Sequence, residues 1–171
     1  LTEYQYNAAG NLIHTIGYAK ASTSATRLTT DNFAALKANI VNQGTSPDDQ
    51  HNYVFYNGKG QQVASLDAEN YLTEYEYDLA GNQTREARYY SKANTYTGSE
   101  TAIQLRPTDS TRRSKYFYYD GANEMSSVIS FPDFVVTSYT YDNTGRLTST
   151  TVADASTDQR TTQARYDLQG H

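Results

Sequence analysis

Cysteine and tryptophan are absent, methionine occurs once and proline three times in 171 residues. Without cysteine there is no disulfide framework and no thiol chemistry, and neither an extracellular nor a cytosolic location is favoured. Leu, Ile, Val and Phe together number 27, under the roughly 20% that marks disorder when net charge is high. Net charge is only −5, however, and 17 tyrosines supply large amphipathic area that this count omits. The chain is therefore expected to be ordered. So few aliphatic residues exclude a thick globular centre and favour a thin, repetitive β-layer with tyrosines on its faces. Fourteen Lys and Arg against 19 Asp and Glu, with no basic cluster, argue against nucleic acid as a partner. No apolar run has the length of a membrane span.

What is present is repetition. The strings YNAAGNL from Tyr6, YNGKGQQ from Tyr56, YDLAGNQ from Tyr77, YDGANEM from Tyr119, YDNTGRL from Tyr141 and YDLQGH from Tyr166 share one internal spacing. Their tyrosines lie about 21 to 25 residues apart, with two gaps about double that, which is the signature of a repeat architecture. The second position is Asn7, Asn57, Asp78, Asp120, Asp142 or Asp167, a short polar side chain that bonds backbone N–H groups further along. The fifth is Gly10, Gly60, Gly81, Asn123, Gly145 or Gly170, the residue types that accept positive φ. Each string is thus a hairpin instruction: a type I turn closed by a left-handed residue and a bulge. Paired tyrosines such as Tyr75 and Tyr77 share one face of the entering strand.

Leu12, Ile16 and Tyr18 share a parity after the first turn, as do Met125, Ile129 and Phe131 after the fourth. The expected fold is mainly β: an antiparallel array of hairpins, polar on one side and aromatic or aliphatic on the other. Long insertions near 20–50 and 90–112 interrupt it. In the first, TTDNFAALKANIVNQGTSP predicts a short helix near residues 32–43, with Thr and Asp at the N-cap and Phe33, Leu36, Ile40 and Val41 on one face. Gly44 is the stop and Pro47 lies beyond it. About twelve residues are marginal alone, so the helix should lie on the sheet. Residues 90–110 have no clear period; an ordered loop, a short extra strand and a mobile excursion all remain open.

A search for chemistry finds little. His14, His51 and His171 each lack a neighbouring ligand at metal spacing and read as surface or sheet-face residues, so no metal and no cofactor are expected. Asp48 and Asp49 lack the run of alternating oxygen ligands that a calcium loop needs. Neither a nucleophile elbow nor a phosphate-binding glycine loop occurs. The repeated aspartates are explained by turn capping, so no catalytic residues are assigned and the chain is not expected to be an enzyme. Tyrosine faces leave a choice between packing on neighbouring tyrosines and stacking on sugar rings.

The repeated Tyr-Asp-x-x-Gly-Asn/Arg-Leu string resembles the YD-repeat, or rearrangement-hotspot (RHS), family. Its members include bacterial polymorphic toxins, the cocoons of insecticidal toxin complexes and the extracellular part of teneurins. The stretch SLDAENYLTEYEYD is similar to the family's joined double repeat, with Asn70 where glycine is common. The resemblance implies a continuous sheet that spirals into a hollow shell, secreted or at a bacterial cell surface, enclosing or presenting another region such as a C-terminal toxin. The family's aspartate-proline self-cleavage motif is missing, since Pro47, Pro107 and Pro132 follow Ser46, Arg106 and Phe131. The first residue runs straight into a repeat and the last repeat stops just past its glycine. A single YD-repeat segment of a longer array is therefore expected, partnered by flanking repeats and prone to self-association when isolated. The alternative is an adhesin or fibre segment that binds carbohydrate or another cell.

Overall fold

The computed structural model describes residues 1–23, 32–44, 46–154 and 159–167, and among these described residues it holds eleven strands and two short helices. The chain is mainly antiparallel β and divides into two compact units, Leu1–Leu72 with Lys92–Pro107, and Thr73–Ser91 with Thr108–His171. Within each unit the strands are paired in chain order.

The first unit holds β1 (Thr2–Tyr6), β2 (Leu12–Gly17), α1 (Phe33–Val41), β3 (Gln50–Tyr56), β4 (Gln62–Leu66) and α2 (Ala102–Leu105). The register sets Glu3 opposite Ile16 and Ile16 opposite His51; Gln5, His14, Tyr53 and Leu66 form the next row of the same face. That face is the packed one: Ile16, Ala64 and Leu66 on it are buried, and Ile40 and Leu105 are buried on the two helices.

α1 docks by polar bonds as much as by its apolar stripe. Ile40 is buried and Leu36 half-buried, but Phe33 and Val41 are about half exposed. Between the apolar positions, Lys37 Nζ reaches Glu3 at 2.6 Å and Asn39 Oδ1 accepts from Thr23 N at 2.9 Å. At the end, Lys20 Nζ donates to the carbonyls of Gln43 and Gly44. The N-cap differs from the sequence expectation. Asn32, in extended backbone, is the N-cap and accepts from Ala34 N and Ala35 N; the Thr and Asp expected there lie outside the described residues. Gly44 closes the helix at φ +82°.

Residues 92–107 are an ordered loop carrying α2. Thr101 and Gln104 form a capping box, Asn94 Nδ2 donates to the carbonyls of Gln104 and Arg106, and Tyr96 packs edge-on against Tyr53 and Phe55.

β5 (Tyr71–Tyr77) begins in the first unit and continues into the second. There it is followed by β6 (Gln83–Lys92), β7 (Arg112–Tyr119), β8 (Met125–Phe131), β9 (Val135–Tyr141), β10 (Leu147–Ala153) and β11 (Gln159–Gln163). β6 alternates cleanly, with Ala87 and Tyr89 buried and Arg88 and Tyr90 on the other side. β8 is half-buried at every position, so the two-faced pattern expected for Met125, Ile129 and Phe131 is blurred. Its return to β9 runs through Pro132, Asp133 and Phe134, with Phe134 at φ +52° and the rings of Phe131 and Phe134 4.6 Å apart. That turn carries no Tyr-Asp signature.

Candidate functional site

The repeated strings build one local object. In the first, Asn7 Oδ1 accepts from Ala9 N and Asn11 N, Gly10 N donates back to Asn7 O, and Asn7 N donates to Asn11 O. Asn57 does the same with Lys59 N and Gln61 N, Asp120 with Ala122 N and Glu124 N, and Asp142 with Thr144 N and Arg146 N. Asp78 Oδ1 accepts from Asn82 N at 2.8 Å. The closing residue is left-handed in each: Gly10, Gly60, Gly81, Asn123 and Gly145 have φ between 65° and 99°. Asp67 opens a further turn of this form, accepting from Glu69 N and Tyr71 N and closing at Asn70 with φ 66°. A register shift beside Tyr6, Tyr56, Tyr119 and Leu147 is the bulge that accompanies such a turn. Gly170 and His171 lie outside the described residues.

Electrostatics follow from the same bonds. Hydrogen bonds from Asn82 hold Asp78 below the usual carboxylate range, and bonds from Thr144 and the Arg146 N–H do so for Asp142. Arg146 Nε also donates to Asp142 at 2.8 Å. A carboxylate whose lone pairs are taken by donors is a poor proton shuttle and a good turn clamp.

Tyrosine does something that periodicity alone does not reveal. Tyr56 Oη donates to Leu12 O at 3.0 Å, Tyr119 Oη to Gln83 O at 3.0 Å, Tyr141 Oη to Met125 O at 2.9 Å and Tyr166 Oη to Leu147 O at 2.8 Å. Each acceptor is the first residue of the strand leaving the preceding turn. The hydroxyl therefore latches one repeat onto the one before it. Burial pushes the Tyr119 and Tyr141 phenols up, which keeps them protonated as donors. Repeat tyrosines thus bond the backbone of the preceding repeat, while Tyr53 and Tyr96 meet ring to ring.

Successive turns also touch. Asn82 and Asn123 exchange amide bonds at 2.5 and 3.3 Å, joining the turn at 78–82 to that at 120–124. A Cβ on Gly145 would sit 2.7 Å from Glu124 Oε1, so the next turn approaches as closely.

Outside this rim, His14 and His51 are sheet-face residues as expected, and they meet: His14 Nε2 lies 3.0 Å from His51 Nδ1. Glu3, which sequence reasoning passed over, is buried and bonded to Lys37, Tyr18 and Gln5, and the Lys37 bond above all holds its carboxyl down at about 2. Its charged partner is 34 residues away, so no local signal marks it. Asp49 staples the loop before β3, accepting from Ala19 N and Ser46 N. Among the described residues no three His, Cys, Asp or Glu cluster as metal ligands, and no helix is long and apolar enough to cross a membrane.

Solved toxin-complex chains share this fold. A TcdB2-TccC3-TEV crystal structure superposes over 99% of this chain with a TM-score of 0.65 at 18% identity, and a TcdB2-TccC3 crystal structure over 95% with 0.64 at 17%. The Photorhabdus luminescens Tc holotoxin pore matches over 94% with 0.62 at 18%. The fold is that of a stretch of these toxin-complex chains. This chain spans 7% of their length. No protein-family model and no curated protein sequence matches it.

Proposed function

We propose that this chain is a structural segment of a secreted, toxin-associated YD-repeat protein, a piece of β-shell wall that encloses or presents another region of the same complex. The observation that carries this reading is the latch: a tyrosine hydroxyl bonded to the first carbonyl after the previous turn, four times over. A bond of that kind transmits register from repeat to repeat and makes a continuous wall, and it supplies no reactive group. The likeness to Tc complex chains over nearly the whole chain supports the same assignment. The turn aspartates act as clamps, so the segment has no catalytic role. Its partners are neighbouring repeats and the enclosed or associated toxin component.

Cryo-electron microscopy of the natural polypeptide tests this. The expected result is a curved sheet wall around further protein mass, with this chain in the wall. An open sheet with nothing beside it, together with glycan-array binding that is lost on Tyr4→Ala and Tyr6→Ala, would overturn the reading in favour of the adhesin. Tyr4 and Tyr6 are the variants of choice because both are more than half exposed.

A further inference from the structure

The packed face of the first unit holds a hydrogen-bonded line that the turn rim does not use. Lys37 Nζ and Tyr18 Oη donate to Glu3, each at 2.6 Å, and Gln5 Nε2 donates to Glu3 Oε1 at 3.0 Å. Gln5 Oε1 lies 3.1 Å from His14 Nδ1, and His14 Nε2 lies 3.0 Å from His51 Nδ1. The polarity of the line is fixed from the Glu3 end. An ionised carboxylate only accepts, so Gln5 must turn its NH₂ toward Glu3 and its carbonyl oxygen toward His14. His14 therefore carries its proton on Nδ1 and presents a lone pair at Nε2, and His51 Nδ1–H donates to it. The ring centroids are 5.2 Å apart with planes inclined 24°. With a 3.0 Å nitrogen contact, such a separation means that the rings meet edge to edge along the N–H···N line.

The pair accommodates one added proton and not two. A proton on His51 Nε2 leaves the bond to His14 in place and makes it charge-assisted. A second proton has only His14 Nε2 to go to, and there it sets two N–H donors and two positive charges against each other across 3.0 Å. We propose that the His14–His51 pair is an acid-sensitive clasp on the β2–β3 ladder, closed while His14 Nε2 is unprotonated and forced open when both rings are charged. The ladder it guards is short, His14 to Gly17 against Gln50 to Tyr53. Its loosening therefore weakens the hold of β2 on β3.

The surroundings offset the second charge only in part: Glu3 favours the charged form of His14, but burial and the His51 charge outweigh it. From β1, Glu3 is spent on Lys37 of α1 and on Tyr18, and Gln5 is neutral. From the loop before β3, Asp49 faces both His51 and Lys20. β3 supplies Tyr53, stacked on His14 at 4.1 Å, β4 the apolar Leu66 opposite it, and residues 92–107 the ring of Tyr96. Burial first and the His51 charge second hold His14 below the usual imidazole range. A histidine depressed in the folded state contributes stability that is present above 6.5 and is lost as pH falls through its folded value. Glu3 loses its contribution only below 4.5.

Imidazole ¹⁵N NMR of the chain near neutral pH, joined to urea unfolding and hydrogen exchange between pH 7.5 and about 5, tests the clasp. Expected are Nδ1-protonated His14 and an unfolding constant that rises by up to about tenfold per pH unit per proton taken up. Exchange should quicken in β2–β3 while β9–β10 is unchanged, and His14→Gln should flatten the pH dependence. An Nε2–H tautomer at His14, equal acceleration of both ladders, or an unchanged pH slope in His14→Gln would each overturn the proposal. If His14→Gln fails to fold, the tautomer and the wild-type exchange decide it.

Discussion

Tyr141→Phe keeps the ring of the third latch and deletes only its hydroxyl, so it isolates the bond to Met125 O at 2.9 Å. A net hydrogen bond is worth about 0.5–1.5 kcal/mol, and an acceptor left dry costs about 1–3 kcal/mol. Tyr141 and Met125 are half-buried, so water partly replaces the lost donor and about 1 kcal/mol is expected. Tyr119→Phe, which removes the bond to Gln83 O, should cost the same. Tyr6 provides the internal control: it is a motif tyrosine of the same type but is 59% exposed, and Tyr6→Phe should stay within about 0.5 kcal/mol of wild type. Equilibrium urea unfolding followed by circular dichroism reads all three. With urea slopes of about 1–3 kcal/mol per molar, the Tyr119 and Tyr141 variants should unfold roughly 0.3–1 M earlier. A loss at Tyr6 as large as at Tyr141, or no loss at Tyr119 and Tyr141, would refute the latch and return the tyrosines to plain packing.

The turns make a second test. Gly10 has φ +82° and nothing within 4 Å of an added Cβ, so Gly10→Val measures backbone strain alone; it should cost about 1–2 kcal/mol, and Gly10→Asn less, by thermal unfolding. Gly145→Ala should cost about the backbone strain alone, because Glu124 Oε1, 2.7 Å from the added Cβ, is the end of a flexible side chain that can swing aside. Acid provides a third: Glu3, held at about 2 against an unperturbed 4.5, supports the fold above 4.5 and loses that support as pH falls toward 2. Lys37→Met removes the largest cause of the depression and should move the onset of acid unfolding, followed by circular dichroism, upward by on the order of one pH unit. Finally, the amides of α1 around Ile40 should exchange slowly, because that residue is 3% exposed and the helix is tied through Lys37 and Asn39. Exchange at free-peptide rates would mean that α1 does not dock in solution.

What the sequence determined by itself is what closes within a few residues. Everything that makes the turn at Asp142 lies between Asp142 and Arg146: a side chain that bonds two N–H groups ahead of it, and a glycine that accepts φ +79°. Such chemistry depends on residue type and spacing alone, so turns are readable wherever the string occurs, and strand alternation on either side gives mainly antiparallel β. The turn at Pro132 to Phe134 was not readable, because its left-handed residue is a phenylalanine, a type that seldom takes positive φ. The cap at Asn32 lies just past the Thr and Asp expected for it, because Thr, Asp and Asn all offer the same acceptor and residue type alone does not select among them. The rest belongs to contacts between distant parts of the chain. Tyr56 and Leu12 are 44 residues apart, His14 and His51 37, and Lys37 and Glu3 34. A hydroxyl finds a carbonyl, an imidazole its twin and a buried carboxylate its ammonium only when β-register and a docked helix bring them within 3 Å. That register is set by hydrogen bonds between whole strands, which no short window of sequence contains.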